Sequence, residues 1–511
     1  MRFPGSLCPA RWVLSLLMAT GLTAFAKPNL LIVTVDDMSG DSVGAFGCPV
    51  DGTTPSIDAF AGSAMAFDRA HVVVGNCQPS RNVMFSGRFP HRSGVEGFYP
   101  VRPIDYPVMC DVMKAAGYFT GIRGKVPHST PYQPYGWDID LTRLPGGGEA
   151  HIKDAASYGE SLRAGIAAAR QAGKPFCLNI NISDPHLPFW KPGDPHPTSR
   201  SFRPEEVTVP GFLPDLPEVR QDLALYYSSV RRADDAFAAI LKELEASGEV
   251  DNTVVIFLSD HGMPLPFAKT QLYHHSTRTP LLVRWPGVTK AGARDDAHMV
   301  SAVDLLPTLC DIAGAEKPAG MDGRSFAPVL RGEWLTDREH VYKEHNENAG
   351  GVRNPMRAVQ TKFYLYIFNP WSDGSRTMAT ATSGMASWRA MKARAASDPD
   401  IAARVDLMEH RVVEELYNTD EDPDCLINLA SDPAAAEVLA EMRGALEEWM
   451  TVTGDPALKA FLGKEDPEVL AAYMAGVEAE RAARVGTKPS KKAGGKGKGG
   501  GKEKAGGKKA N

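Results

Sequence analysis

Two short apolar runs, far apart in the chain, each end in acid. Asn29-Leu-Leu-Ile-Val-Thr-Val35 leads into Asp36-Asp37, and Val254 to Leu258 leads, through Ser259, into Asp260-His261. Continuous apolar runs of this length, rich in β-branched residues, are what a strand buried on both faces requires. In open α/β sheets polar chemistry gathers beyond the carboxyl ends of the strands, so two such runs bring carboxylates to one rim. Phe119 to Arg123, Phe176 to Ile182 and Leu281 to Trp285 are further strand candidates. Helical spacing marks Pro55–Phe67, His151–Ala172, Glu218–Ala246 and Leu305–Ala313. Strands alternating with helices predict an α/β fold whose sheet is covered on both faces.

The pattern changes after about Trp334. Arg357 to Ile367 reads as a hairpin and is followed by a polar, Ala-rich helical stretch. Glu415-Leu-Tyr is a strand running into a turn, and Asp432-Pro433 reads as the cap and first position of a helix reaching about Thr451. A chain of 511 residues is long enough for one large core and a second, smaller one. The expected division is a leader at 1–26, a larger domain at 27–334, a smaller α+β domain with an antiparallel sheet at 335–486, and a tail at 487–511.

The two ends are of different material. Arg2 and Arg11, the apolar run Trp12 to Phe25, and Ala24-Phe25-Ala26 before Lys27 have the layout of a cleaved secretory signal, which predicts a secreted or periplasmic protein. The tail holds nine Lys and one Glu among Gly and Ala; with a formal net charge of −6, the body at 27–486 therefore carries −16. Such a tail cannot bury enough surface to fold alone. It could hold an anionic glycan or surface, or have no partner at all. Neither a nucleic-acid partner nor a transmembrane segment is expected, and the sequence does not speak to oligomeric state. Seven cysteines, at 8, 48, 77, 110, 177, 310 and 425, are widely and irregularly spaced, without a zinc pattern.

Cys77-Gln-Pro-Ser-Arg-Asn-Val-Met-Phe-Ser-Gly-Arg88 is the most informative segment. It resembles the sulfatase signature: Cys-x-Pro-Ser-Arg, then a small hydroxyl residue, Gly and a basic residue. In that family the Cys is oxidised to formylglycine by a separate maturation enzyme that reads this local sequence. The aldehyde hydrates to a geminal diol, one hydroxyl of which attacks sulfur; loss of the proton from the other expels sulfate as the aldehyde re-forms. Arg81, one helical turn from residue 77, is placed to hold the diol and the sulfate oxygens. The resemblance implies an alkaline-phosphatase-like mixed sheet flanked by helices.

Asp36, Asp37 and Asp260 supply carboxylate oxygens, and the oxygens of the modified residue 77 complete a shell that suits calcium, ahead of magnesium or a transition metal. By resemblance residue 261 is a further ligand, and His261 stands there. The family's Gly-Lys segment matches Gly124-Lys125, its His after a strand matches Asp184-Pro185-His186, and its cation after the second metal motif matches Lys269. His186 is then the general acid for the leaving group. Val126-Pro127 puts two residues rather than one between Lys125 and His128, so His128 is a candidate beside the alternative of a surface histidine.

The likeness narrows to the N-sulfoglucosamine sulfohydrolase branch through Ser259 to Tyr273, Asn354 to Val359, and Glu415-Leu-Tyr with Asp422-Pro423. It departs at His261, at His274 to Arg278 and in the loop Glu344 to Arg353, so the sugar stays open. His345 and Arg357 are candidate contacts to an anionic sugar. The expected activity is hydrolysis of sulfate esters or N-sulfate groups of sulfated glycans. The alternatives are a phosphatase or phosphonate hydrolase on the same scaffold, which the Cys77 motif disfavours, and a catalytically silent glycan-binding homologue.

Overall fold

The computed structural model describes Met1 and residues 27–143 and 147–486. The leader and the Lys-rich tail read from the sequence lie outside the described residues, apart from Met1.

An eight-stranded mixed sheet runs in the order Ile139–Asp140, Phe119–Arg123, Phe176–Pro185, Asn29–Asp36, Thr253–Ser259, Leu281–Arg284, Met65–Phe67, Arg294–Asp295. The first five strands are mutually parallel, and the Leu281–Arg284 strand is antiparallel to both of its neighbours. The two strands that end in acid are adjacent and in register, Val35 opposite Ser259. Every residue of Asn29–Asp36 is buried, which explains its unbroken apolar run. Alternate residues serve opposite faces. Leu31, Val33 and Val35 pack with the helices Ala156–Gln171 and Pro217–Ala246. Leu30 and Ile32 pack with Met84 and Phe85 of the helix Cys77–Ser86 and with the helix Leu305–Ala313. The α/β sheet covered on both faces is therefore as the sequence implied.

A four-stranded antiparallel sheet follows in chain order: Val341–Glu347, Arg353–Gln360, Tyr364–Phe368, Glu414–Asn418. One face, through Met356, Ala358, Leu365 and Ile367, is continuous with the main core. The other, through Val359, Tyr366 and Phe368, packs on the helices Ala436–Thr453 and Leu458–Leu462. The Asp432 side chain accepts from the amide of Ala434, with Pro433 opening the first turn.

Two expected helices differ. The one expected over 55–67 stops at Ala61, with Gly62 next, and Met65–Phe67 is a strand; a three-residue apolar run carries too little periodicity to distinguish the two. The helix expected from His151 begins at Ala156, because Lys153 is drawn back onto the carboxyl end of the Phe176–Pro185 strand. Six cysteines are described, at 48, 77, 110, 177, 310 and 425, and none is disulfide-bonded. No helix among the described residues is long and apolar enough to cross a membrane.

Candidate active site

Cys77 opens the helix Cys77–Ser86, all ten residues of which are buried. The helix start supplies unpaired amides and a partial positive charge beside the thiol. The helix is tied to the sheet rim by its own side chains. Ser80 Oγ donates to the Asp260 carbonyl at 2.6 Å. One turn after Cys77, Arg81 donates from Nε to Asp260 Oδ2 at 3.0 Å and from Nη1 to Asn181 Oδ1 at 2.5 Å, with Nη2 3.5 Å from Asp36 Oδ1. Asn181 is held in turn, donating to the carbonyls of Arg123 and Gly124 at 2.9 and 3.0 Å. Arg81 is wholly buried, so its guanidinium has one fixed orientation.

Each of the paired acids is met by its own lysine. Lys125 Nζ is 2.5 Å from Asp36 Oδ2, and Lys269 Nζ donates to both oxygens of Asp37 at 2.8 and 2.7 Å. His261 Nε2 lies 2.9 Å from Asp37 Oδ1 and 3.2 Å from Cys77 Sγ. The Asp37 amide donates to Asp260 Oδ1 at 3.0 Å, joining the ends of the two acid strands. Holding these groups demands unusual backbone: Asp37 (φ 71°), Lys125 (φ 50°) and Thr270 (φ 66°) are left-handed without being glycine. Each such residue costs about 1–2 kcal/mol, and non-glycine outliers of this kind gather where function fixes geometry.

The charges act on one another. Burial opposes ionisation of Cys77, yet Lys269, His261 and Lys125 bring its thiol down to about 5. Burial likewise opposes the charged forms of Asp36 and Asp37, but Lys125 holds Asp36 and Lys269 holds Asp37 well below the usual carboxylate range, with help from His186. Asp260 is pushed up by burial and by Asp36, against Arg81. His186 rises to about 9, chiefly through Asp37. His128 falls to about 3 through burial and the nearby cations Lys125 and Arg81.

Nine residues singled out from the sequence come together here: Asp36, Asp37, Cys77, Arg81, Lys125, His186, Asp260, His261 and Lys269. One ligand atom from each of Asp36, Cys77, Asp260 and His261 lies within 4.8 Å of the others, and the same holds for Asp37, Cys77 and His186. Together these groups hold three carboxylates, two imidazoles and the Cys77 sulfur; the carboxylate oxygens are the donors that fit a hard divalent cation. His128 lies in the short turn Val126–Ser129, half-buried, its ring centroid 5.8 Å from that of Phe98.

His345 and Arg357 are placed differently. Arg357 is wholly buried; it bonds to Asp455 through Nε and, at 3.1 Å, through Nη2, and to Asn346 Oδ1 at 2.9 Å. His345 is 1% exposed, with neither ring nitrogen hydrogen-bonded. Arg357 is thus engaged by Asp455 and Asn346, whereas His345, paired opposite Met356, lies on the other face of the sheet, the one continuous with the main core. Sequence reasoning missed Asn181, although two Asn inside the run Phe176 to Ile182 are a signal, since a buried strand amide needs a partner. It also missed Lys153, for which the sequence carries no signal.

Comparison with known proteins agrees with this geometry. The sulfatase family profile matches residues 28–315, and the profile for the C-terminal part of N-sulphoglucosamine sulphohydrolase matches residues 260–372. Human N-sulphoglucosamine sulphohydrolase is 28% identical over 502 residues, covering 88% of this chain and 95% of its own. Among solved structures, a protein bound to its substrate D-glucosamine-2-N,6-O-disulfate superposes with a TM-score of 0.63 at 18% identity, covering 84% of this chain and 98% of its own. The phosphonate monoester hydrolase of Agrobacterium radiobacter gives a TM-score of 0.61 at 20% identity, over 83% and 96%. At these identities the two structures speak to the fold alone, whereas the sulfatase profile spans more than half of the chain and includes the Cys77 motif with both acid strand ends: the chain belongs to the sulfatase family and is a sulfatase.

Proposed function

We propose that the chain removes sulfate from sulfated glycans, with N-sulfated glucosamine the first substrate class to test, using formylglycine made from Cys77 and a bound calcium ion. The observation that carries this reading is the placement of Cys77: a nearly buried thiol at a helix start, 3.2 Å from His261 Nε2 and beside the Asp37–Lys269 pair. The match to the C-terminal N-sulphoglucosamine sulphohydrolase profile and the likeness to the human enzyme support the choice of sugar.

Formylglycine supplies a hydrated aldehyde, whose second hydroxyl gives the covalent sulfated intermediate an exit that a thiol lacks. Calcium, held by Asp36, Asp37 and Asp260 with His261, supplies positive charge where sulfate oxygens gather. The remaining work falls to the chain's own side chains. Arg81, locked by Asp260 and Asn181, fixes one side of residue 77. Lys125 is the more exposed of the two lysines, its side chain 19% accessible against 8% for Lys269, and it faces the incoming anion. The two ammonium groups sit where charge develops on the sulfate oxygens, already oriented before substrate arrives. His186, half-buried beside Cys77, is placed to hold a proton for the leaving atom. His128 is uncharged at neutral pH and offers a hydrogen bond rather than a charge. The leader read from the sequence fits export, and a formylglycine-generating enzyme is the required maturation partner.

The test is a panel of defined saccharides, N-sulfated glucosamine beside 6-O- and 2-O-sulfated sugars, with a phenyl phosphonate for comparison. Sulfate release that falls on chelation and returns with calcium is the expected outcome. Turnover of the phosphonate alone, or saccharide binding with no turnover at all, would overturn the reading.

A further inference from the structure

We infer that Lys153 is a positioning residue for His186, and that through His186 it sets how well the leaving atom is protonated. This rests on the reading of His186 as the general acid. Lys153 precedes the helix Ala156–Gln171, some thirty residues before His186 in the chain, and its side chain is only 5% accessible. Its ammonium lies 2.6 Å from the carbonyl of His186, 2.8 Å from Asp184 Oδ1 and 3.3 Å from the carbonyl of Ser183. An ammonium has three donors, and all three are directed at this one turn.

The turn needs outside support because the sheet stops providing it there. Along the pairing with Asn29–Asp36, Val35 lies opposite Ile182, but Asp36 lies opposite Pro185. Ser183 and Asp184 are therefore extra residues, an irregularity of the kind that re-aims side chains at the edge of a site. The helix Ala156–Gln171 and the segment before it hold the displaced turn: the Ser183 amide donates to Tyr158 Oη at 2.9 Å, and Lys153 takes the carbonyl side. The Asp184 carboxylate is shared with Arg232, which donates from Nε at 2.7 Å and from Nη2 at 3.1 Å. Arg232 also reaches the His196 carbonyl at 2.9 Å and Asp194 at 3.2 Å. Two cations and two carboxylates thus offset one another, and the cost of burying an ammonium is met by fixing one backbone turn.

His186 emerges from that turn. Its Nδ1 lies 2.6 Å from the carbonyl of Leu187, which leaves Nε2 as the nitrogen to carry a transferable proton. One of its ring nitrogens lies within 4.8 Å of both Cys77 and an Asp37 oxygen. Lys153 holds the carbonyl of the residue that bears this imidazole, so losing the ammonium frees the ring to swing away from the reacting atoms while the charges around Cys77 stay in place.

The experiment measures kcat and KM for Lys153→Met over sulfate donors of graded leaving-group acidity, from nitrophenyl sulfate to the sulfated sugars. Proton donation matters most for the poorest leaving groups and accounts for about 10²–10⁴-fold in rate where it is needed. Lys153→Met should lower kcat for sugar substrates about tenfold or more and for nitrophenyl sulfate less than about twofold, with KM nearly unchanged. His186→Ala is run alongside and should show the same slope, more steeply. Equal losses on all donors for Lys153→Met, with a steep His186→Ala, would show a merely structural lysine and overturn this inference alone. A flat His186→Ala would overturn the general-acid reading and this inference with it. If Lys153→Met does not fold, Lys153→Gln, which keeps two donors without the charge, is judged by the same slope.

Discussion

At a seam where the C-terminal sheet meets the end of the helix Ala436–Thr453, Arg357 lies with Nη2 3.1 Å from Asp455 and 3.5 Å from Glu344, and His91 Nδ1 is 2.7 Å from Glu344. Around Cys77, Arg81, Lys125 and Lys269 face Asp36, Asp37 and Asp260 in similar contacts. Both clusters are buried and both pair cations with carboxylates, yet they are built for different ends. At the seam no member's side chain exceeds 3% exposure, and leftover acceptors are filled locally, Asn346 donating to Glu344 and the Ala457 amide to Asp455. The seam residues from the sheet sit on ordinary paired strands. The Cys77 cluster is open along Lys125 and His186, and left-handed backbone at Asp37, Lys125 and Thr270 carries three of its corners. A closed, matched cluster fixes how two layers pack. An open one on strained backbone keeps charge oriented toward something that arrives from outside.

Exchanging single residues should separate the two. Cys77→Ala should abolish sulfate release, a loss of at least about 10⁴-fold against the ~10⁶-fold or greater accelerations typical of enzymes, with thermal melting nearly unchanged. Arg357→Met should do the reverse. Removing one partner of a buried ion pair strands the other and costs about 3–5 kcal/mol, read as a drop in denaturant midpoint, while KM of the folded protein stays near the parent value.

A smaller effect concerns His275, whose ring nitrogens lie 2.8 Å from Asp41 and 3.0 Å from Asp424 and so tie two segments nearly four hundred residues apart. Burial opposes its charge, but these carboxylates raise it to about 9 from its ordinary 6.5. A raised histidine contributes stability that is complete below the unfolded value and lost as pH climbs through the folded one. The parent melting temperature should therefore fall between pH 6.5 and about 9, and His275→Gln should flatten that fall. A parent profile flat over that window, or one unchanged in the variant, would contradict the assignment. The smallest expected change is Asn181→Ala, which leaves one Arg81 arm without an acceptor. The unmet buried hydrogen bond should lower stability by about 1–3 kcal/mol, and the loosened guanidinium should cost about tenfold in kcat/KM.

Much of the open cluster was legible from sequence because its members follow strand ends or sit in one contiguous motif. Asp36, Asp37, Asp260 and the Cys77 to Arg88 segment belong to that class, and the adjacency of the two acid strands makes one site of them. Lys125, His186 and Lys269 depended on the family resemblance. The closed cluster was not legible. Arg357 reads the same whether it meets a sugar or a buried aspartate nearly a hundred residues away, and only the packing of Asp455 beside the Arg353–Gln360 strand decides it. Lys153 was lost for the same reason, since its helical context concealed a side chain directed at a distant turn. The Met65–Phe67 strand was missed because three residues hold no period.

The most direct test is the mass of the peptide spanning Cys77, taken from active protein purified from a host that carries the maturation enzyme, with activity measured on the same sample. Residue 77 should be found as the aldehyde in a fraction that tracks specific activity from one preparation to the next. Full turnover of a sulfated sugar by material whose residue 77 is entirely thiol would contradict the account at its root.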